Sequence, residues 1–269
     1  MNIALLTSIS LRHKACAKIF STNPLINSIT VYFEQPRNKT LNNNKNEIIS
    51  THLEHRNTSE EDIFSDLLTL NDRANTSYKI VEWGFFSTLD FRKEAAKKSF
   101  DLICVYGSSI IRGEIIKDYN YRFLNLHLGL SPFYRGAGTN YFPFVNKEPQ
   151  YAGFSIIYLD DGIDTGEVIH QGRPMINEHD SFQQLSCRFL KQSFYEYVNI
   201  ATNIKKLKTP KPSSLKICKT RKIYKQKDFT QESCKRLYKN FSEGLLSNYL
   251  KNKKELDELV PILTQDIFL

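Results

Sequence analysis

Short apolar runs alternate with segments of helical character along the first hundred residues. Residues 3–6 form an apolar run, residues 11–20 could form a helix, and residues 28–33 are rich in β-branched and aromatic side chains. A strand, a turn, a helix and a second strand make a βαβ unit, which predicts a parallel sheet. Leu102–Tyr106 is apolar throughout, as is typical of a central strand buried on both faces.

The same patterns predict further elements. Asparagine, lysine and threonine predominate over residues 36–57, which predicts a surface loop. Ser59 and the three acids after it predict the start of a helix that runs to about residue 70, because a serine cap and an acidic first turn stabilise a helix N-terminus. Other predicted strands cover residues 122–128, 151–159 and 167–171, and other predicted helices cover residues 91–98 and 181–206.

Composition narrows the class of protein. The chain has 269 residues, of which 41% are apolar and 12% aromatic. This predicts one large domain, with or without a small appendage, and excludes a wholly disordered chain or a small disulfide scaffold. No run approaches the roughly 18 apolar residues of a membrane span, and the N-terminal run is typical of a strand rather than a signal peptide. The five cysteines include no C-x-x-C pair, so we expect reduced thiols in a cytoplasmic protein, without disulfides or a zinc site.

The formal net charge of +8 is concentrated towards the C-terminus. Ten lysines or arginines and no acid lie between Lys205 and Lys227. Without this run the chain would be close to neutral, so composition gives no case for a nucleic-acid-binding core. We predict a large domain of residues 1–206 and a small extension of residues 207–269, with a hairpin and short helices over residues 230–241 and 250–259. The basic run could contact nucleic-acid phosphates, or form a solvated hairpin or the edge of a homodimer.

The residues whose side chains are best suited to catalysis lie at the end of a predicted strand and in the segment after it. Asn125 and His127 are two positions apart, so their side chains project from one face of the strand. An amide donor and an imidazole could hold a developing oxyanion and manage a proton. Farther along, Asp164 lies between Gly162 and Gly166, where its carboxylate could orient the imidazole.

Each of these residues also has a structural interpretation. His127 could bind a neighbouring carbonyl group, Asn125 could cap a turn, and the acids from Asp160 to Asp164 could form a solvated turn. Their spacing lacks the calcium-loop pattern. We therefore expect no metal.

Three motifs occur together in this order: N-L-H at residues 125–127, S-P-F-Y-R-G at residues 131–136 and D-D-G-I-D-T-G at residues 160–166. Together they resemble the folate-dependent formyltransferases, a family that includes methionyl-tRNA formyltransferase, glycinamide ribonucleotide transformylase and the sugar N-formyltransferases. The resemblance covers about residues 1–205. It implies an α/β fold with a Rossmann-like, doubly wound, mostly parallel sheet, here followed by a short basic C-terminal appendage.

The resemblance also implies a site. The catalytic set would be Asn125, His127 and Asp164, and the co-substrate would be 10-formyltetrahydrofolate. The residues implied to bind this co-substrate are Tyr106, Gly107, Ser108, Ile110, Ile111, Asp160, Asp161 and Gly162. Those implied or suggested to bind the second substrate are Ser10, Arg12, Tyr134, Arg135, Gly136, Thr139 and Asn140. The first loop, at residues 8–13, lacks the glycines with which some members cradle phosphate, so Ser10 and Arg12 would act with the helix N-terminus instead. The structural alternatives are an ordinary strand-to-helix turn for Gly107 and Ser108, core packing for Ile110 and Ile111, and a solvated helix start for Arg12.

The implied second substrate is a small primary amine. The extension is too short for the C-terminal barrel of the methionyl-tRNA enzymes, and it is similar in outline to the short extensions of the sugar N-formyltransferases. The favoured acceptor is therefore a nucleotide-linked amino sugar. The alternatives are methionyl-tRNA, a hydrolase that removes formyl groups, and a basic nucleic-acid-binding protein with a vestigial fold. We expect no membrane partner, a homodimer is compatible with the sequence, and nucleic acid is not favoured as a partner.

Overall fold

The computed structural model describes residues 1–37, 46–207 and 223–268. The strands in these ranges are β1 (Asn2–Ser8), β2 (Ser28–Glu34), β3 (Asn75–Val81), β4 (Leu102–Tyr106), β5 (Phe123–His127), β6 (Arg135–Gly136), β7 (Phe154–Tyr158), β8 (Val168–Gly172) and β9 (Ile223–Tyr224). The helices are α1 (Leu11–Ser21), α2 (Glu47–Leu68), α3 (Leu89–Lys98), α4 (Glu114–Asp118), α5 (Phe142–Val145), α6 (Phe182–Asn203), α7 (Gln231–Ser242), α8 (Leu245–Lys251) and α9 (Lys253–Glu258). Short 3₁₀ turns lie at Phe85–Ser87, Pro149–Tyr151, Ile204–Lys206, Gln226–Asp228 and Asp266–Phe268.

Within the described part of the chain, the main sheet has seven strands in the order β3-β2-β1-β4-β5-β7-β8. The five strands from β3 to β5 run parallel, and β7 and β8 are antiparallel to their neighbours. This arrangement confirms the predicted Rossmann-like, doubly wound, mostly parallel sheet. A separate parallel pair joins β6 to β9.

Alternating side chains of β1 build a core on each face of the sheet. Ile3 and Leu5 pack with residues of α1, α2 and α6, whereas Ala4 and Leu6 pack with residues of α3 and α4 on the other face. A continuous apolar run is therefore what this central strand needs, because both of its faces are buried.

Most predicted elements are confirmed within a few residues, but the predicted loop over residues 36–57 is wrong from residue 47 onwards. Helix α2 begins at Glu47, and the Asn46 side chain caps it by accepting a hydrogen bond from the Ile49 amide at 3.4 Å. The helix packs against α1 and α6, so tertiary contacts outweigh its polar composition. Ser59, predicted as a cap, lies inside this helix. Strand β3 was not predicted; its alternating side chains Tyr78 and Ile80 are exposed at the sheet edge.

The C-terminal residues share a core with the segment that follows β5. Leu237, Leu246 and Tyr249 pack in one apolar cluster with Phe142 and Phe144 of α5. The Asn240 amide also donates to the α5 backbone carbonyls of residues 144 and 145, at 2.9 and 3.0 Å. The division at residue 206 stays a prediction, and most of the basic run, residues 208–222, lies outside the described residues.

Four cysteines, Cys16, Cys104, Cys187 and Cys234, are buried free thiols, and Cys218 lies outside the described residues. Among the helices that the structure describes, none combines the length and the apolarity that crossing a bilayer requires.

A buried tyrosine of α6 ties the middle of the sheet together. The Tyr197 hydroxyl accepts a hydrogen bond from the Val105 amide of β4 at 2.9 Å and lies 2.9 Å from the Leu124 carbonyl oxygen of β5. The side chain is fully buried. It therefore satisfies backbone groups of the two central strands β4 and β5.

We predict that Tyr197→Phe lowers the free energy of unfolding by about 1–3 kcal/mol, because it leaves buried backbone groups without a partner. Urea unfolding measures this change. The matched control is Tyr195→Phe, at a position on the same helix whose side chain is 49% exposed; it should change stability by less than about 0.5 kcal/mol. Equal effects of the two substitutions would contradict this role of the Tyr197 hydroxyl.

Candidate active site

The carboxyl ends of two neighbouring parallel strands place the candidate catalytic residues. Strand β4 ends at Tyr106 and β5 ends at His127, and Val105 pairs with Asn125 across the ladder. Parallel strands end at the same edge of a sheet, which is where ligand sites form in open α/β folds. Asn125 and His127 alternate with a buried leucine and so share one face of β5, as predicted.

The hydrogen bonds of His127 define its orientation. Its ring is 5% exposed, and Nε2 lies 2.8 Å from the carbonyl oxygen of Tyr134. A carbonyl oxygen only accepts, so Nε2 donates and carries a proton. The other ring nitrogen, Nδ1, lies 3.3 Å from Oδ2 of Asp164. Nδ1 is therefore the nitrogen that faces an ionisable partner.

The carboxylate of Asp164 joins three segments. Its Oδ2 accepts a hydrogen bond from the Gly136 amide at 2.8 Å, and its Oδ1 accepts one from the Asn125 side-chain amide at 3.4 Å. The backbone of Asp164 has a φ of 51°, a left-handed conformation that aspartate tolerates better than most residues do. Asn125, His127 and Asp164 thus form one contiguous polar unit.

The loop after β5 is shaped to hold His127. At Gly129 a Cβ atom would lie 2.6 Å from Nε2 of His127 and 2.7 Å from the Tyr134 carbonyl oxygen, so only glycine leaves room for the hydrogen bond between them. The buried Ser155 hydroxyl donates to the Gly129 carbonyl at 2.8 Å and accepts from the Ser131 amide at 2.9 Å. The loop is therefore fixed from the strand beneath it.

The polar unit opens on a cavity of about 610 Å³. This volume lies in the range of small-molecule sites, roughly 300–1,000 Å³. The predicted site residues that line it are Asn125, His127, Asp164, Tyr106, Gly107, Ser108, Ile110, Ile111, Gly162, Gly136, Thr139 and Asn140. Residues from three of the predicted motifs thus meet around one space.

The other predicted site residues lie outside this lining: Ser10, Arg12, Tyr134, Arg135, Asp160 and Asp161. The Arg12 guanidinium pairs with Glu60, and the Tyr134 ring is buried, with its hydroxyl donating to Glu148 at 2.6 Å. The Asp160 carboxylate accepts from the Thr165 hydroxyl at 2.8 Å and so folds its own loop. Their contacts are structural, and their binding roles stay predictions.

A buried histidine supports the loop after β4. The His13 ring lies 4.8 Å from the Tyr106 ring, centroid to centroid, and a Cβ atom at Gly107 would lie 2.4 Å from its Nε2. Burial, together with the neighbouring charges of Arg12 and Arg56, lowers the pKa of His13 to about 3. Burial likewise raises the pKa of the Tyr106 hydroxyl. Both side chains are therefore neutral near pH 7.

Two features of the site were not predicted from the sequence. Glu34 ends strand β2 and is 1% exposed, and its carboxylate accepts hydrogen bonds from the Ser109 amide and hydroxyl, both at 2.6 Å, and from the Gly84 amide at 2.8 Å. It anchors the loop that lines the cavity after β4. The one local signal is an acid that ends an otherwise apolar strand, SITVYFE.

The second feature is a cavity wall from the C-terminal part of the chain. Ile223, Tyr224 and Lys225 line the cavity, and β9 pairs with β6 beside Asp164. No local pattern predicts this contact, because it joins segments far apart in the sequence.

The described residues thus form a doubly wound sheet with asparagine, histidine and aspartate side chains in contact at its carboxyl edge. Residues 79–200 match the family model described as formyl transferase. These residues therefore form a formyl transferase domain, in agreement with the resemblance that the motifs indicate.

Individual relatives agree with this assignment. The chain is 34% identical over 113 residues to methionyl-tRNA formyltransferase of Pelotomaculum thermopropionicum, a match that covers 39% of this chain and 36% of that protein. The first two curated relatives are matched over 28% and 47% of their lengths, so the chain spans less than half of each.

Solved structures show the same fold. Glycinamide ribonucleotide transformylase 1 of Symbiobacterium toebii superposes with a TM-score of 0.54 at 16% identity, over 78% of this chain and 91% of that chain. A sugar N-formyltransferase of a Shewanella species superposes with a TM-score of 0.53 at 14% identity, over 90% of this chain and 86% of that chain.

We predict that Glu34→Gln lowers the free energy of unfolding by about 1–3 kcal/mol, because glutamine offers fewer acceptors to the Ser109 and Gly84 donors. Urea unfolding provides the measurement. Glu82→Gln is the control, since Glu82 is an exposed carboxylate close to Gly84 in the chain, and it should shift stability by less than about 0.5 kcal/mol. A Glu34→Gln protein as stable as this control would refute the anchoring role.

Proposed function

We propose that this protein transfers a formyl group from 10-formyltetrahydrofolate to the primary amine of a nucleotide-linked amino sugar. The observation that carries the proposal is the contiguous unit of Asn125, His127 and Asp164, which opens on a cavity within a formyl transferase domain.

The cavity fits a folate. One wall is formed by the segment from Val105 to Ile111 together with Gly162 and Ile163, which combines apolar side chains with backbone polar groups. Such a wall can stack a flat heterocycle and read its hydrogen-bonding edge. When bound, the folate supplies an activated formyl group. Tyr106, Gly107, Ser108, Ile110, Ile111 and Gly162 would hold it.

The catalytic residues have separate tasks. The Asn125 amide can donate to the formyl oxygen, where negative charge develops as the amine attacks. Because the Nε2 proton of His127 is committed to the Tyr134 carbonyl, only the imidazolium form, which also carries a proton on Nδ1, can donate from Nδ1 towards the same region. The Asp164 carboxylate can accept the proton that the amine loses, directly or through water.

A nucleotide-linked amino sugar as acceptor draws support from two observations. A sugar N-formyltransferase is among the structural neighbours and superposes over 90% of this chain. The C-terminal residues Ile223–Tyr224 also pack into the cavity wall, which suits a small acceptor better than a macromolecule.

Methionyl-tRNA is the second candidate acceptor, because curated relatives of this chain are methionyl-tRNA formyltransferases. A panel of dTDP-, UDP- and GDP-linked amino sugars and methionyl-tRNA, assayed for tetrahydrofolate release, separates the candidates. Release with a sugar nucleotide alone supports the proposal. Release with methionyl-tRNA alone contradicts the proposed acceptor. Salt-sensitive RNA binding without folate turnover contradicts the proposed activity.

We predict that His127→Ala and Asp164→Asn each lower the rate of formyl transfer at least about 10²-fold, since each removes a group aimed at developing charge or at a transferring proton. Steady-state assays of tetrahydrofolate release measure the effect, and thermal unfolding verifies that the variants fold. His179→Ala alters an exposed histidine outside the cavity and should retain full activity. Near-normal turnover by either catalytic variant would disprove this assignment.

A further inference from the structure

The C-terminal segment is built into the cavity through a short ladder. Strand β9 pairs with β6 in parallel, with Arg135 opposite Ile223 and Gly136 opposite Tyr224. The Ala137 amide donates to the Tyr224 carbonyl oxygen at 2.9 Å. The Tyr224 ring stacks on the Phe142 ring at 3.9 Å between centroids. These contacts hold the segment against the site.

The same ladder reaches the catalytic carboxylate. Gly136 donates its amide to Asp164 at 2.8 Å, and its φ of 90° is one that only glycine adopts readily. A Cβ atom at Gly136 would lie 2.1 Å from the Tyr224 carbonyl oxygen. One glycine therefore contacts both Asp164 and the C-terminal segment.

Lys225 follows Tyr224 directly and places a positive charge at the cavity. Among the described residues that line the cavity, the acidic and basic side chains besides His127 are Asp164 and Lys225. Asp164 is engaged with Gly136, Asn125 and His127, whereas Lys225 is an exposed residue. The Lys225 backbone follows the β6–β9 ladder directly. Lys225 therefore lies on the side of the cavity formed by Gly136, Thr139 and Asn140, and not on the side formed by the loop after β4.

We propose that Lys225 is a specificity-determining residue that binds the phosphate groups of a nucleoside diphosphate carried by the acceptor. This inference rests on the proposed formyl transfer. An exposed ammonium group at the cavity complements a mobile, highly charged diphosphate, and it does so without taking part in the chemical step.

The test compares three variants: Lys225→Met, Lys225→Arg and Lys227→Met. Lys227 is a matched control, because it is an exposed lysine of the same segment that lies outside the cavity lining. With a nucleotide-linked amino sugar, Lys225→Met should raise the acceptor KM about fivefold. It should leave kcat and the KM for 10-formyltetrahydrofolate within about twofold. Lys225→Arg and Lys227→Met should both behave like the wild-type protein.

Ionic strength gives an independent readout. Added salt should raise the acceptor KM of the wild-type protein more than that of Lys225→Met, because salt screens the lost charge pair. An unchanged acceptor KM in Lys225→Met would overturn the proposal. A selective rise in the KM for 10-formyltetrahydrofolate would also overturn it, since Lys225 would then bind the carboxylates of the donor.

Binding measurements separate this inference from the proposed function. If the wild-type protein transfers no formyl group to any amino sugar, calorimetric titration with dTDP, UDP and GDP still tests Lys225. Binding that weakens in Lys225→Met would support the phosphate site while the proposed activity fails. No binding, or equal binding by both proteins, would overturn the phosphate site.

Discussion

The site depends on the hydrogen bond from the Gly136 amide to the Asp164 carboxylate. This contact holds Asp164 where it can meet both Asn125 and His127, although its own backbone lies in a sparsely populated conformation. Its donor is a backbone amide in a loop that is itself fixed by β9 on one side and by the buried polar groups around Ser155 on the other. A carboxylate that accepts from a fixed backbone donor needs little reorganisation during a reaction, which is the physical basis of electrostatic preorganisation.

The two sides of the cavity are supported in different ways. The loop after β4 is anchored by the buried carboxylate of Glu34. This one side chain accepts hydrogen bonds from two backbone amides and one hydroxyl group. Such an anchor is rigid, because an unpaired buried carboxylate would be very costly. The opposite side is formed by β9 and Lys225, which meet the domain through two residue pairs and ring stacking. One side is thus held by buried charge, and the other by surface packing.

The parts predictable from the sequence are those that local patterns encode. The apolar run of β4 and the N-x-H spacing at the end of β5 are local, so the sheet and the shared face of Asn125 and His127 could be predicted. Helix α2 was missed at its start, because its polar sequence becomes helical through packing on α1 and α6. The Glu34 anchor joins positions 75 residues apart, and the β6–β9 ladder joins an even more distant pair of segments. No period or motif reports such contacts.

The difference between local patterns and long-range contacts also separates the residues proposed for the chemical step from those proposed to select the acceptor. The residues proposed to carry formyl transfer lie on strand ends and short loops within residues 79–200, the range that the family model matches. The wall beside Gly136 is instead completed by Ile223, Tyr224 and Lys225, which lie outside that range. Binding energy from such a remote wall acts on substrate selection and orientation rather than on the reacting bonds. Under the proposed function, the side chains that this C-terminal segment presents to the cavity therefore act on which amine binds.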